Sequence, residues 1–315
     1  MKTVILDRET LGADLDISVP FDTELIVFEN TKPYEVVDRI SDADIIFLNK
    51  VILNEENLSK AKKLKLICEA ATGYDNIDID YCRKRGIAVC NVPGYSTYSV
   101  SQVSVAMVMS LANHIKEYRS FTASGKYTES GSANSLTPVF HELNGLTWGI
   151  VGYGNIGSAV GKVAKALGCN VLAYKRTPTD EVACVDIDTL IQKSDIITVH
   201  IPLSDSTRNL INKKRIAMMK PNAIFVNTAR GAIADEEALC EAVKNGKIGA
   251  IGIDVYSKEP FDEKSPYFNV KDLDNVCLTP HMAWGAQESR KRCFSKMIEN
   301  TNAFLEGKIL NRVDI

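Results

Sequence analysis

Three residues that could perform acid–base chemistry beside a bound carboxylate stand in the second half of the chain. Arg230, Glu259 and His281 each follow shortly after an apolar run that is typical of a strand. An arginine can bind a carboxylate through two parallel hydrogen bonds, and a histidine can exchange a proton near neutral pH. A glutamate on the second ring nitrogen would orient the imidazole. Because open α/β sheets bind ligands outside the carboxyl ends of their strands, we expect these side chains to converge on one site.

Each of these residues also has an ordinary structural explanation. Arg230 could be a solvated loop residue, Glu259 before Pro260 could belong to a turn, and His281 after Pro280 could be a satisfied histidine. Their occurrence together, in this order and at strand ends, favours a shared site.

A glycine pattern lies between a predicted strand and a predicted helix. Gly152, Gly154 and Gly157 form G-x-G-x-x-G after the apolar run 146–151, and the helical pattern 158–167 follows. In this setting the first glycine makes a tight turn, the second lets the backbone approach a pyrophosphate, and the third allows close helix–strand packing. The helix N-terminus offers free N–H groups to the phosphates. The pattern therefore predicts a dinucleotide site.

The end of the next predicted strand bears on which dinucleotide binds there. The run 170–174 leads into Lys175 and Arg176, where NAD-binding chains usually place an acid for the ribose hydroxyls. Two cations would instead attract a 2′-phosphate, which favours NADP(H). Alternatively the basic pair is solvated and Asp180 or Glu181 reaches the ribose, so NAD(H) stays open.

Two alternating series of strand and helix patterns predict two doubly wound parallel-sheet α/β domains. The first series has candidate strands at 3–6, 25–28, 45–48, 64–69 and 87–90, with helices near 34–41, 55–62 and 78–85. The second has candidate strands at 147–151, 170–174, 195–199, 223–227, 249–253 and 276–279, with helices near 155–167, 186–193, 212–217 and 235–244. Six strands suit a dinucleotide-binding sheet.

Between the two series, a long helix is predicted over 98–119, followed by a polar arm or loop near 123–136. The last segment carries an amphipathic helix over 289–306 and is too short to form a domain, so we expect it to pack onto the first series.

Composition restricts the class of protein. The 315 residues carry a formal net charge of −3, which gives no reason to expect nucleic-acid or membrane binding. No signal peptide and no apolar run of about 18 residues is evident. The eight cysteines contain no C-x-x-C pair, and several lie in apolar strands where reduced thiols are expected. The expectation is a soluble cytoplasmic protein without a metal site.

Several motifs of the chain match those of a known enzyme family. The chain resembles the NAD(P)-dependent D-2-hydroxyacid dehydrogenases over nearly its whole length. The matching motifs are the glycine loop, His200-Ile-Pro-Leu203 with Thr207, Asn227-Thr-Ala-Arg-Gly231, Asp254-Val-Tyr-Ser-Lys-Glu-Pro260 and Thr279-Pro-His281. The resemblance implies a Rossmann cofactor domain, 98–284, inserted into a flavodoxin-like substrate domain, 1–97 with 285–315.

The resemblance also implies roles for individual residues. Arg230 would bind the substrate carboxylate and keto oxygen, His281 would be the acid/base, and Glu259 would pair with His281. The backbone at Thr72 and Gly73 would donate to the carboxylate. From the residues and the resemblance together, the expected cofactor contacts are Gly152, Gly154, Asn155, Ile156, Gly157, Lys175, Arg176, Pro202, Thr207, Thr228, Ala229 and Asp254.

Two further segments are most similar to the glycerate dehydrogenase (hydroxypyruvate reductase) branch. They are Ala71-Thr-Gly-Tyr-Asp-Asn76 and Asn91-Val-Pro-Gly-Tyr-Ser-Thr97, and Met282-Ala-Trp284 agrees with them. Hydroxypyruvate or glyoxylate is therefore the expected substrate, with Trp284 either closing the pocket or packing between domains. Branched or aromatic 2-keto acids stay open, as does a non-enzymatic, nucleotide-sensing corepressor-like scaffold. The resemblance implies a homodimer with residues 98–145 as the candidate interface.

Overall fold

The chain divides into two units in a computed structural model that describes residues 1–315. One unit comprises Met1–Ser96 and Trp284–Ile315, and the other is Thr97–Ala283. The bounds expected from the sequence, 1–97 with 285–315 and 98–284, differ from these by one residue at each junction. Each unit has its own parallel sheet and its own hydrophobic core.

The first unit is built on a five-stranded parallel sheet with the order β2-β1-β3-β4-β5, which is the flavodoxin-like order. Its strands are β1 (Lys2–Ile5), β2 (Glu24–Val27), β3 (Ile45–Leu48), β4 (Leu66–Glu69) and β5 (Ala88–Cys90). Its first helices are α1 (Val36–Ile40), α2 (Glu55–Leu58) and α3 (Ile79–Arg85). Every residue of β3 and β4 is buried because helices cover both faces of the sheet, which explains why β3 is entirely apolar and why β4 is apolar up to its last residue, Glu69.

The second unit contains a seven-stranded parallel sheet with the order β12-β11-β10-β9-β6-β7-β8. Its strands are β6 (Thr147–Val151), β7 (Asn170–Tyr174), β8 (Ala183–Cys184), β9 (Ile196–Val199), β10 (Ile224–Asn227), β11 (Ala250–Ile253) and β12 (Val276–Leu278). Counted from β6, this is the doubly wound 3-2-1-4-5-6 order extended by one strand. The predicted fold class, two parallel-sheet α/β domains, is confirmed.

The helices of the second unit depart from the prediction in its first part. They are α4 (Thr97–Ala112), α5 (Ile115–Ala123), α6 (Lys126–Glu129), α7 (Asn155–Ala166), α8 (Ile187–Lys193), α9 (Lys213–Ala217) and α10 (Glu236–Lys244). The single helix predicted over 98–119 is wrong, because His114 adopts a left-handed backbone conformation with φ 51° and separates α4 from α5. The polar arm also contains a helical turn, α6. The prediction missed β8, because two residues carry no readable period.

The C-terminal helix α11 (Gln287–Leu305) returns to the first unit. Phe294 and Met297 pack with Phe47 and Cys68 on one face of the five-stranded sheet, while α1, α2 and α3 contribute to the core on the other face. The Phe47 and Phe294 rings meet edge to face with their centroids 6.1 Å apart. No helix of the protein combines the length and apolarity that crossing a membrane requires.

Candidate active site

The glycine loop connects β6 to α7 in the conformation that its pattern predicts. Gly152 has φ +99°, and a Cβ atom there would lie 2.5 Å from Cγ2 of Ile201 and 2.7 Å from the carbonyl oxygen of His200. At Gly157 a Cβ would lie 2.0 Å from the carbonyl oxygen of Gly152, so only glycine lets α7 approach β6 this closely. Gly154 is different, because a Cβ built there would meet no atom within 4 Å.

This geometry fits a dinucleotide. The open space at Gly154 allows a pyrophosphate to approach the backbone, while the first turn of the 12-residue helix α7 supplies N–H groups and the positive end of a helix dipole. Asn155 and Ile156 are the first two residues of that helix. No group of three or more His, Cys, Asp or Glu side chains is arranged to hold a metal ion.

The basic pair Lys175 and Arg176 lies beside the glycine loop, as the sequence predicts. Lys175 and Arg176 directly follow β7, whose last residue, Tyr174, accepts a hydrogen bond of 2.9 Å from the Gly152 N–H. Both basic side chains are exposed, and so are the nearby Asp180 and Glu181. The structure therefore leaves both the cations and the carboxylates accessible beside the loop.

The segment after β9 forms a turn that is held by hydrogen bonds within the segment. The Thr207 hydroxyl donates to the carbonyl oxygen of Pro202 at 2.7 Å and accepts from the Ser204 N–H at 2.7 Å, which fixes a turn on the cofactor side of the sheet. His200, one residue past β9, has both ring nitrogens buried without a hydrogen-bond partner. Burial lowers the pKa of His200 to about 3, so its imidazole is neutral.

The turn that carries Arg230 is held by an asparagine that the sequence analysis did not assign to the site. Asn227, the last residue of β10, accepts from the Ala229 N–H at 3.0 Å and donates to the Arg230 carbonyl oxygen at 2.8 Å. Thr228 is buried, and its hydroxyl lies 2.8 Å from that of Ser104 in α4. Arg230 thus leaves the sheet from a fixed turn.

His281 and Glu259 form a close pair. The His281 Nδ1 atom lies 2.6 Å from Glu259 Oε2, and the other carboxylate oxygen accepts from the Tyr256 N–H at 3.0 Å. The two side chains are 19% and 29% exposed, so the pair is partly shielded and still open to a small molecule. Arg230, Glu259 and His281 follow the neighbouring strands β10, β11 and β12, so the structure brings their segments to one edge of the sheet.

Asp254 has a structural task in addition to the cofactor contact expected for it. Its buried carboxylate accepts from the Thr279 hydroxyl at 2.5 Å and from the N–H groups of Met282 and Ala283 at 2.9 Å each. Burial raises the pKa of Asp254, and these hydrogen bonds act in the opposite direction. The Tyr256 hydroxyl donates to the Thr279 carbonyl oxygen at 2.8 Å. Sequence reasoning gave no role to Tyr256 or to the Thr279 hydroxyl.

The remaining predicted substrate residues belong to the first unit. The Thr72 hydroxyl donates to the Val92 carbonyl oxygen at 2.9 Å, and the Thr72 carbonyl oxygen accepts from Asn91 at 2.7 Å, so the loop containing Gly73 is tied down after β4. Trp284 is half-buried and packs edge to face on Tyr95 with ring centroids 6.2 Å apart.

Comparison with known proteins decides the family. The family model described as D-isomer specific 2-hydroxyacid dehydrogenase, NAD binding domain, matches residues 105–283. The chain belongs to this family. It is therefore an oxidoreductase of the D-2-hydroxyacid dehydrogenase class with an NAD-binding domain, and the predicted resemblance is confirmed.

Two relatives match this dehydrogenase over essentially their full length. A hydroxypyruvate reductase from Blautia hydrogenotrophica is 36% identical, with 100% of both chains covered. A glycerate dehydrogenase from Methylorubrum extorquens is also 36% identical, with 99% of both chains covered.

Two solved structures show the same fold with bound dinucleotides. An acyclic imino acid reductase in complex with NADPH and D-Arg superposes with a TM-score of 0.86 at 28% identity, covering 99% of this dehydrogenase and 100% of that chain. A D-lactate dehydrogenase from Aquifex aeolicus, complexed with NAD and lactic acid, gives a TM-score of 0.84 at 29% identity, with 99% of both chains covered.

Proposed function

We propose that this dehydrogenase reduces a small 2-keto acid, hydroxypyruvate or glyoxylate, to the D-2-hydroxy acid. The observation that carries the proposal is the 2.6 Å contact between His281 and Glu259. These two residues follow β12 and β11, and Arg230 follows the adjacent strand β10. The names of the two full-length relatives support hydroxypyruvate as the first substrate to test.

His281, Glu259 and Arg230 have different roles in the proposed reaction. The His281 Nδ1–H donates to Glu259, which orients the ring and leaves Nε2 to carry the proton that the substrate's keto oxygen receives. Arg230 binds the substrate carboxylate and stabilises the negative charge that develops on the keto oxygen. When bound, the reduced nicotinamide supplies the hydride. Proton and hydride together convert the carbonyl into the hydroxyl group.

The remaining proposed substrate contacts are Thr72, Gly73 and Trp284. Thr72 and Gly73 offer backbone N–H groups to the carboxylate from a loop whose hydroxyl and carbonyl are already engaged. Trp284 would limit the size of the substrate side chain. Branched or aromatic 2-keto acids are the competing substrates, and a Trp284→Ala variant should favour them.

For the cofactor we propose a preference for NADP(H). Lys175 and Arg176 are exposed at the end of β7, where two cations would bind a 2′-phosphate. NAD(H) is the alternative, with Asp180 or Glu181 binding the ribose. The remaining proposed cofactor contacts are Gly152, Gly154, Asn155, Ile156, Gly157, Pro202, Thr207, Thr228, Ala229 and Asp254.

We also propose a homodimer formed through residues 98–145. Leu136, Val139 and Phe140 are 73%, 70% and 47% exposed in this region. Apolar side chains exposed close together are typical of a protein–protein interface. Light scattering coupled to gel filtration measures the mass, and a monomer at micromolar concentration would contradict the proposal.

One assay tests substrate and cofactor together. The absorbance at 340 nm is followed with NADH and with NADPH, each against hydroxypyruvate, glyoxylate, and branched and aromatic 2-keto acids. We expect the highest kcat/KM for hydroxypyruvate or glyoxylate with NADPH. An NADH preference above about tenfold would contradict the cofactor proposal, because a tenfold ratio corresponds to about 1.4 kcal/mol of transition-state binding. No turnover with any keto acid would favour a nucleotide-sensing scaffold.

A further inference from the structure

Tyr256 contacts each of the three segments that carry Arg230, Glu259 and His281. Its backbone N–H donates to Glu259 Oε1 at 3.0 Å, and its hydroxyl donates to the Thr279 carbonyl oxygen at 2.8 Å, two residues before His281. A Cβ atom at Gly231, next to Arg230, would lie 2.2 Å from the Tyr256 carbonyl carbon.

We propose that Tyr256 is a positioning residue that sets the distance between Glu259 and His281 through its hydroxyl group. The inference rests on the proposed function, because it assumes that His281 transfers the proton. Tyr256 touches no reacting group in this scheme. Its hydroxyl connects β11, from which Glu259 follows, to the segment after β12, which carries His281.

The backbone at His281 explains why this connection is needed. His281 has φ 53°, a left-handed conformation that costs a non-glycine residue free energy and persists only where its surroundings hold it. Asp254 holds the far side of the segment through Met282 and Ala283. On the near side, the Thr279 hydroxyl donates to Asp254, and the Thr279 carbonyl oxygen accepts from the Tyr256 hydroxyl. The strained residue lies between these attachments, and the Tyr256 hydroxyl is the one that fixes the Thr279 carbonyl group.

The surroundings of Tyr256 make its hydroxyl a fixed reference point. The ring is buried and packs against Phe261, with centroids 4.7 Å apart, and against Tyr267, with centroids 5.4 Å apart. Burial raises the pKa of Tyr256 above its usual range, so the hydroxyl keeps its proton and remains a donor. A fixed ring with a permanent donor can hold Thr279 in one position.

The test removes this one hydroxyl. In Tyr256→Phe the ring, its packing and the backbone N–H bond to Glu259 all remain. We expect kcat for hydroxypyruvate reduction to fall by about ten- to a hundredfold, the scale on which small displacements of a reacting group act. KM and the dissociation constant of the dinucleotide should stay unchanged, because substrate capture by Arg230 is intact. The deuterium isotope effect on kcat, measured with a dinucleotide deuterated at the nicotinamide C4, should increase because chemistry becomes slower.

Tyr267→Phe is the matched control. It removes a second buried tyrosine hydroxyl from the same aromatic cluster, and Tyr267 is not the donor to Thr279. We expect wild-type kcat for this variant. Dinucleotide binding, measured by fluorescence on every variant, establishes that the second unit is folded.

The outcomes separate the two levels of the proposal. If Tyr256→Phe keeps the kcat of Tyr267→Phe, or if both lose kcat equally along with thermal stability, Tyr256 has no positioning role. His281→Ala tests the underlying function. Near-normal turnover in that variant would overturn the proton-transfer assignment itself, whatever the Tyr256 variant does.

Discussion

At the scale of single residues, two buried titratable groups make the stability of the protein depend on pH in opposite directions. His200 lies beside the glycine loop and is neutral in the folded chain, because burial lowers its pKa to about 3. Glu69, the last residue of β4, is fully buried, and burial raises its pKa well above the ordinary value. Neither group takes part in the proposed chemistry.

His200 should destabilise the protein as the pH falls. Below the ordinary histidine pKa of 6.5, His200 binds a proton in the unfolded chain but not in the folded chain. The contribution of His200 to the unfolding free energy is therefore fully present above pH 6.5 and decreases towards pH 3. Between pH 7 and pH 5 the loss is about 2 kcal/mol of unfolding free energy. Urea unfolding at both pH values, on wild type and on His200→Gln, measures it. The wild type should lose about 2 kcal/mol more than the variant, and equal losses would show that His200 titrates normally.

Glu69 should destabilise the protein as the pH rises. Its Oε2 accepts from Asn76 at 3.1 Å, while Oε1 is buried without a partner. Above about pH 4.5 the unfolded carboxyl ionises while the folded one stays protonated, so stability decreases with pH. Glu69→Gln keeps an acceptor for Asn76 and does not titrate. Its unfolding free energy relative to wild type should therefore increase from pH 4 to pH 8. A constant difference over that range would contradict the raised pKa.

At the scale of elements, the two glycines at either side of the start of α7 have separable tasks. A Cβ at Gly157 would press on the backbone of Gly152, whereas one at Gly154 would enter open space where a pyrophosphate is expected. Gly154 has φ −94°, which an alanine can adopt without strain.

Two alanine variants separate folding from cofactor binding. Gly157→Ala should lower the unfolding free energy by about 1–3 kcal/mol, the usual cost of overpacking. Gly154→Ala should unfold at the wild-type temperature and bind the dinucleotide at least about tenfold more weakly, because the methyl group occupies the space of the pyrophosphate. Thermal unfolding and fluorescence titration measure the two effects. Wild-type affinity in Gly154→Ala would place the pyrophosphate elsewhere.

The elements also show which features a sequence can predict. A buried parallel strand such as β3 is an uninterrupted apolar run, and the glycine pattern follows from steric needs, so both could be predicted from the sequence. The break at His114 could not, because helical spacing continues across it and only the backbone angle reveals it. The bond from Tyr256 to Thr279 joins residues 23 positions apart, and no local pattern encodes such a contact.

At the scale of the whole molecule, the two tryptophans report on different units. Trp148 is completely buried in β6, and its indole N–H donates to the Thr198 hydroxyl at 3.1 Å. Trp284 belongs to the other unit and packs on Tyr95. All the proposed cofactor residues lie within Thr97–Ala283. A ligand that binds the folded second unit must therefore stabilise the transition that Trp148 reports.

Single-tryptophan variants make that stabilisation measurable. In Trp284→Phe, the fluorescence of Trp148 follows the second unit, and in Trp148→Phe, that of Trp284 follows the first. A dinucleotide at a hundred times its dissociation constant should raise the unfolding free energy seen by Trp148 by about 2.7 kcal/mol. NADPH should produce this shift at a lower concentration than NADH if Lys175 and Arg176 bind a 2′-phosphate. A Trp148 transition that neither dinucleotide moves would contradict the cofactor site. The size of the shift at Trp284 then measures how far the first unit unfolds together with the second.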